Sequence, residues 1–213
     1  TMFLFSTLLL FTLSYQYAPI DYNDYRSANA LLQYLLSHTG YYYNINPNSL
    51  FFQFNYYIDQ NQVNLILDKM NQIYETYRLN GVFLILDKGA GISDIDQYTI
   101  EIIQGLDQNF GLFQQDYVYL VVLQYKVDEY YYTYDLDFVI GTGGSYARSY
   151  LSDSACEKLI NTYGPYLKSS YSYSTMVDLI NDIEYVMSQY TPMSVGEIIL
   201  YCILAICILV CCG

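Results

Sequence analysis

The run VFLILD, which occupies Val82 to Asp87, is the segment that decides the fold. Its apolar residues are consecutive and leave no polar face, which is typical of a strand buried on both sides of a sheet. A second run of this kind, YVYLVVLQY, covers Tyr117 to Tyr125. Between the two runs, apolar residues recur at helical spacing from Ile95 to Phe110. The sequence therefore predicts two buried strands joined by a helix.

Other elements extend this unit on both sides. The segment 132–140 alternates apolar and polar residues, which predicts an antiparallel strand near the sheet edge. Asp59 and Gln62 form a capping pair at the start of a helix. Helical spacing of apolar residues recurs in four segments: 24–37, 63–77, from about 153 and from about 174. This order of elements predicts an α/β fold, a three-layer α/β/α sandwich with a small mixed sheet.

The composition excludes one class of function and favours another. The chain has 8 Lys and Arg against 21 Asp and Glu, and its net charge of −13 repels phosphate backbones, which excludes nucleic-acid binding. It also has 29 Tyr and no Trp. Tyr41, Tyr42 and Tyr43 lie outside any helix or strand period and predict a protein interface, because Tyr supplies rigid amphipathic contact area. A general use of Tyr at half-buried positions is the alternative explanation.

Both ends of the chain are hydrophobic. The segment from Met2 to Leu13 has the apolar core of a signal peptide but no basic residue before it, so a retained membrane helix is equally expected. The uncharged segment from Ile198 to Gly213 spans roughly 24 Å as a helix, and a start near Pro192 predicts a transmembrane helix. Cys211 and Cys212 are candidate acylation sites.

These features predict an integral membrane protein whose folded part lies on the non-cytosolic side. The membrane is expected to be the mitochondrial inner membrane, an endomembrane or the plasma membrane. The predicted division of the chain is a hydrophobic segment 1–17, a Tyr-rich leader 18–58 with one amphipathic helix, an α/β domain 59–190 and a transmembrane helix 193–213.

The stretch GTGGSYARSYLSD, Gly141 to Asp153, raises the question of phosphate binding. Phosphate-binding loops place a helix N-terminus directly after their glycines, usually with a Lys nearby. Here the next helix is predicted to begin at Asp153, with eight residues between it and Gly144, and the stretch contains no Lys. The glycines therefore predict a bend that releases the strand, with Ser152 or Asp153 capping the helix.

Few residues suit catalysis. His38 is the only histidine, and Cys156 is predicted to be a buried small residue within a helix, so no Ser-His, Cys-His or zinc site is predicted. Asp87, Asp94 and Asp153 lie at a strand end or near helix starts and are candidate Ca²⁺ ligands. Helix capping and simple solvent exposure are the alternative roles for these carboxylates.

Three short motifs, taken in order, resemble the TPM domain family. They are Asn80-Gly81 before a strand, Gly141-Thr142-Gly143 after a hairpin and Leu151-Ser152-Asp153 before a helix. The resemblance covers roughly 47–190, and Leu79 stands where the family commonly has Asp. The family includes thylakoid-lumen repair proteins and a worm auxiliary subunit of a ligand-gated channel, and acid-phosphatase activity and Ca²⁺ binding have been attributed to some members.

The resemblance implies a TPM domain attached to a membrane beside a larger complex. We therefore expect a non-catalytic, membrane-anchored accessory subunit whose TPM-like domain packs on a membrane protein complex, either a mitochondrial assembly or a channel. Its bilayer contacts are expected through the C-terminal helix and, if it is retained, the N-terminal one. No cofactor is expected. The alternative is a Ca²⁺-assisted enzyme similar to acid phosphatases that acts outside the cytosol, and a third possibility is a lipid-anchored surface protein.

Overall fold

The computed structural model describes residues 25–37, 43–46, 48–54, 58–108, 111–127, 134–169, 172–190 and Ile203. Within these ranges, one sheet carries helices on both faces. Its strands are β1 (Tyr43–Asn46), β2 (Ser49–Gln53), β3 (Asn80–Asp87), β4 (Val118–Val127) and β5 (Tyr134–Thr142). The helices are α1 (Ala28–Ser37), α2 (Gln60–Tyr77), α3 (Ile95–Gln108), α4 (Ser145–Tyr150), α5 (Asp153–Ser169) and α6 (Tyr173–Gln189).

The sheet is mixed, and its spatial order is β1-β2-β3-β4-β5. Strands β2, β3 and β4 are parallel, whereas β1 and β5 pair antiparallel at the two ends. The VFLILD run lies in β3, where every apolar residue of the run is buried. The prediction of an α/β fold with a mixed sheet is therefore confirmed.

Each face of the sheet has its own apolar core. Phe83 and Ile85 of β3 pack with apolar residues of α2, α5 and α6 on the first face. Val82 and Leu84 point to the second face, where α1 and α3 cover the sheet. Residues one position apart in β3 thus belong to different cores, which follows from the period of two in a strand. Because both faces of β3 are covered by apolar cores, this strand has no polar face.

The two crossovers between parallel strands have opposite handedness. Both advance in the same direction across the sheet, from β2 to β3 and from β3 to β4. However, α2 covers the first face and α3 covers the second. One of the two crossovers is therefore left-handed. This kind is rare, since about 98% of such crossovers are right-handed. This arrangement places α3 and α5 on opposite sides of the terminal strand β5.

Helix α2 begins as the sequence predicts. The Asp59 side chain accepts a hydrogen bond from the backbone N–H of Gln62, and the Gln62 side chain accepts one from the backbone of Asp59, which forms a capping box. The helix ends at Tyr77, and Arg78 adopts the left-handed conformation. The predicted apolar stripe, which includes Val63 and Ile66, is buried.

The sequence pattern predicted no strand between the helix at 24–37 and Asp59, and this was wrong, because β1 and β2 lie there. All five residues of β2 are buried, and Phe51 stacks on Phe83 with ring centroids 5.7 Å apart. The apolar part of β2 is short and lies between Ser49 and Gln53. The Gln53 side chain exchanges two hydrogen bonds with the backbone of Ile58, at 3.0 and 3.1 Å, so its burial is compensated.

No helix in the described ranges combines the length and the apolar character that crossing a bilayer requires. This finding contradicts the prediction of an integral membrane protein and, with it, the predicted location. The segments on which that prediction rested, 1–17 and 193–213, lie outside the described residues, apart from Ile203. The candidate acylation sites Cys211 and Cys212 lie outside them as well.

Gly81 lies where β3 passes a buried tyrosine on β4. A Cβ atom at Gly81 would lie 2.6 Å from the Tyr119 hydroxyl oxygen and 2.7 Å from the Met70 methyl carbon. The Tyr119 hydroxyl is fully buried and has no hydrogen-bond partner among the described residues. The Asn-Gly pair therefore has a packing reason, because Gly81 leaves room for the tyrosine.

This contact gives a stability prediction. Gly81→Ala is expected to lower the free energy of unfolding by about 1–3 kcal/mol through overpacking. Tyr119→Phe is expected to raise it by about 1–3 kcal/mol, because the change removes a buried hydroxyl that lacks a partner. Urea unfolding of the single and double variants measures both effects. In the Tyr119→Phe background, Gly81→Ala should cost less, and strict additivity would contradict the proposed contact.

Candidate functional site

The glycines of GTGGS pack against the turn that precedes β4. Helix α4 starts directly after them, so the predicted distance of eight residues to the next helix was wrong. A Cβ atom at Gly143 would overlap the carbonyl oxygen of Gln115, and one at Gly144 would overlap the carboxylate of Asp116. The Gln115 side chain donates to the Gly143 carbonyl at 3.0 Å. An aspartate therefore fills the space beside these glycines, which makes the stretch a packed turn.

Asp87 and Asp153, two of the candidate Ca²⁺ ligands, both have partners within the protein. The Asp87 carboxylate accepts the backbone N–H of Gly89 and so closes the turn after β3. The Asp153 carboxylate lies 3.3 Å from the Arg148 guanidinium in an exposed ion pair. Asp153 is also the first residue of α5, and Ser152 accepts a hydrogen bond from that helix, as predicted.

Asp94, the third candidate, caps α3. Its carboxylate accepts the backbone N–H of Gln97 at 2.9 Å, which is the hydrogen bond of a helix N-cap and agrees with the alternative role of helix capping. The described residues contain no group of three or more His, Cys, Asp or Glu side chains arranged to hold a metal ion. Ca²⁺ binding by Asp87, Asp94 and Asp153 stays a prediction.

Cys156 behaves as a buried small residue, as predicted. It is 5% exposed, and burial, with a smaller effect from Asp153, raises the pKa of its thiol to about 11. The thiol is therefore protonated at neutral pH, and its nucleophilicity is low. Tyr43 begins β1, while the other predicted contact and histidine positions lie outside the described residues: His38, Tyr41 and Tyr42.

A tyrosine cluster forms an extended aromatic contact network at the surface of the described residues. We define it by its five members, which come from four separate parts of the chain: Tyr77, Tyr117, Tyr146, Tyr150 and Tyr190. Neighbouring ring centroids lie 4.6 to 5.7 Å apart, mostly in tilted or edge-to-face geometry. Four of the rings are half-buried, and Tyr190 is 45% exposed. The cluster therefore presents a continuous aromatic surface.

The hydroxyl groups of this cluster also have polar interactions. The Tyr146 hydroxyl donates to the Tyr77 carbonyl at 3.2 Å. Partial burial, with a further contribution from Tyr146, raises the pKa of the Tyr150 hydroxyl to about 12. The Tyr150 phenol is therefore neutral at physiological pH and is able to donate a hydrogen bond to a partner.

The tyrosine cluster was not predicted from the sequence. Tyr146 and Tyr150 share a helical spacing of four, but the other members are brought together only by packing of α2, α4 and the end of α6. The abundance of Tyr was the only available signal, and it pointed to a different segment.

Comparisons with known proteins leave the family open: no protein-family profile matches this chain, and no curated protein is significantly similar to it. The resemblance to TPM domains stays a prediction.

Proposed function

We propose that this protein is a non-catalytic accessory subunit that packs on a larger protein assembly through the tyrosine cluster. The observation that carries the proposal is the contiguity of five partly exposed aromatic rings at one surface. Tyrosines are enriched in protein interfaces because they bury a large rigid area and keep a hydroxyl for hydrogen bonding. The resemblance to the TPM domain family, which includes an auxiliary subunit of a channel, agrees with this role.

The position of the cluster also suits docking. Tyr190 directly follows α6, and its ring packs on Tyr150 with the ring centroids 5.7 Å apart. Tyr117 lies at the other side of Tyr146, at 4.6 Å. Because helices and a 3₁₀ turn hold these rings in place, binding costs little side-chain entropy.

The test is recovery of an assembly from native extracts. We expect the tagged full chain to co-purify with a defined assembly in native sizing and mass spectrometry. The double variant Tyr117→Ser/Tyr190→Ser is expected to reduce this recovery by about tenfold. A loss of this size is expected when aromatic residues of an interface are truncated. Tyr166→Ser is the matched control, because Tyr166 is 63% exposed and lies outside the cluster.

Two results would contradict the proposal. The first is migration of the wild-type chain alone under mild extraction. The second is equal recovery with the double variant and with Tyr166→Ser, which would place the contact elsewhere. A folding check by circular dichroism on each variant separates a lost interface from a lost fold.

A Ca²⁺-assisted phosphatase is the second candidate. Asp87 and Asp94 follow the carboxyl end of a parallel strand, where α/β sheets commonly bind ligands. A phosphomonoester turnover that requires Ca²⁺ and is lost in Asp87→Asn would favour this candidate over the accessory role.

A further inference from the structure

We propose that the outer edge of β5 binds an extended, positively charged segment of a partner protein as an additional strand. The strand lies at the end of the sheet, and no strand among the described residues pairs with its outer edge. An unpaired edge presents backbone N–H and C=O groups that an extended peptide is able to join. This surface shares no residue with the tyrosine cluster.

A groove follows this edge. Two adjoining cavities of about 410 Å³ each are lined by consecutive residues of β5 from Leu136 to Thr142. They share Phe138, Val139 and Ile160, so they form one continuous channel. Seven strand residues span about 20 Å, which accommodates an extended peptide of similar length.

Helices form the two walls of the groove. Ile100 of α3 lies on one wall and is 48% exposed, although it is a large apolar residue. Ile160 of α5 lies on the opposite wall. Successive side chains of an added strand would point to these walls in turn, so apolar residues of the strand would contact either isoleucine.

Natural edge strands usually carry devices that prevent such pairing, and this part of β5 lacks them. From Phe138 to Thr142 the strand has no charged residue and no proline. The charged residues of β5 lie further back, where the exposed carboxylates of Asp135 and Asp137 each bind Lys88 at 2.9 Å. The edge between Phe138 and Thr142 is therefore open to pairing.

The charges around the groove select a basic occupant. Arg148 pairs with Asp153 at one end. Lys168 lies at the opposite end. The pKa of Asp135 is lowered mainly by its hydrogen bond from Lys88, and the charge of Lys168 lowers it further. Asp96 and Glu157 remain on the two walls, both exposed and without a basic partner among the described residues. Lys or Arg side chains of an added strand would complement them.

Two other occupants fit these charges less well. A second copy of this chain also carries a net charge of −13 and would bring further carboxylates to the same edge. The chain's own segments 1–24 and 191–213 contain no Lys or Arg. A basic segment of another protein is the occupant that the groove complements.

The test uses the full chain and a fluorescein-labelled, end-capped nonapeptide, Thr-Val-Thr-Lys-Arg-Val-Thr-Val-Thr. Fluorescence anisotropy is expected to show saturable binding, and a peptide with Glu-Glu in place of Lys-Arg should bind at least about tenfold more weakly. A third peptide, N-methylated at alternate residues, should also bind poorly because it cannot complete the strand hydrogen bonds. Hydrogen exchange should show new protection confined to residues 136–142.

Charge-reversal variants locate the site. Asp96→Lys and Glu157→Lys are each expected to weaken binding of the basic peptide about three- to tenfold. Asp68→Lys changes the net charge equally on α2, away from the groove, and should leave binding unchanged. Equal weakening by all three variants would reduce the effect to net charge and overturn the proposal.

Three further results would overturn it. These are no binding of the basic peptide at about 1 mM, protection of amides outside β5, and self-association of the chain that protects 136–142 without peptide. The last result would assign the edge to a second copy.

Discussion

Phe51→Ala is expected to lower the free energy of unfolding by about 3–5 kcal/mol, a large part of the stability of a typical domain. Phe51 is fully buried in β2 and stacks on Phe83 of the neighbouring strand. Removing the ring leaves a cavity between the sheet and α2, which the rigid strands are unable to close. Urea unfolding followed by far-ultraviolet circular dichroism measures the change.

The control for this variant is Leu65→Ala. Leu65 lies on α2 but is 52% exposed, so its truncation is expected to change the unfolding free energy by less than about 0.5 kcal/mol. A similar small effect for Phe51→Ala would mean that β2 is not part of the folded core.

Gly143→Ala is expected to cost about 3 kcal/mol, at the upper end of overpacking effects. The new Cβ atom would overlap the backbone carbonyl of Gln115 and would lie 2.7 Å from the Ile103 side chain. A flexible side chain would move aside, but the Gln115 backbone begins the 3₁₀ turn before β4 and is held by a hydrogen bond from its N–H to Asp107. Thermal unfolding of the variant measures the loss.

Gly164→Ala provides the matched substitution. Gly164 lies inside α5, and a Cβ atom there would meet only Phe138, at an ordinary 3.9 Å. Pro165 follows Gly164 in the helix, and its ring crowds a Cβ atom at the preceding position, which offsets the higher helix propensity of Ala. The change is therefore expected to alter the free energy of unfolding by less than about 1 kcal/mol. An equal loss of stability in both glycine variants would refute the close packing at Gly143.

Strong periodic patterns predicted the elements of this fold that depend on few other residues. The strand VFLILD and the capping box at Asp59 were correct because each is determined by its own segment. Strand β2 was not predicted because Ser49 and Gln53 flank its apolar run and leave it only three residues long, and their polar atoms find partners only in the folded protein. The opposite handedness of the two crossovers was equally hidden, because an amphipathic helix does not encode which face of a sheet it covers.

The candidate surfaces were predictable only in part. The charge balance that favours a basic partner is a property of composition, whereas the groove depends on which strand ends the sheet. Asp96 and Glu157 are far apart in sequence and become the two walls of one channel through the packing of α3 and α5 on β5. Arrangements of this kind arise from topology, which the local pattern of residues does not specify.

The sheet order repeats the chain order, so each strand pairs with the strand made just before it. During synthesis on the ribosome, every new strand therefore meets an edge that is already in place, and no strand has to insert between two others. The same order has a cost for unfinished chains. A nascent chain that stalls after β3 exposes an edge that is apolar on both faces, and such chains are expected to aggregate unless β4 follows.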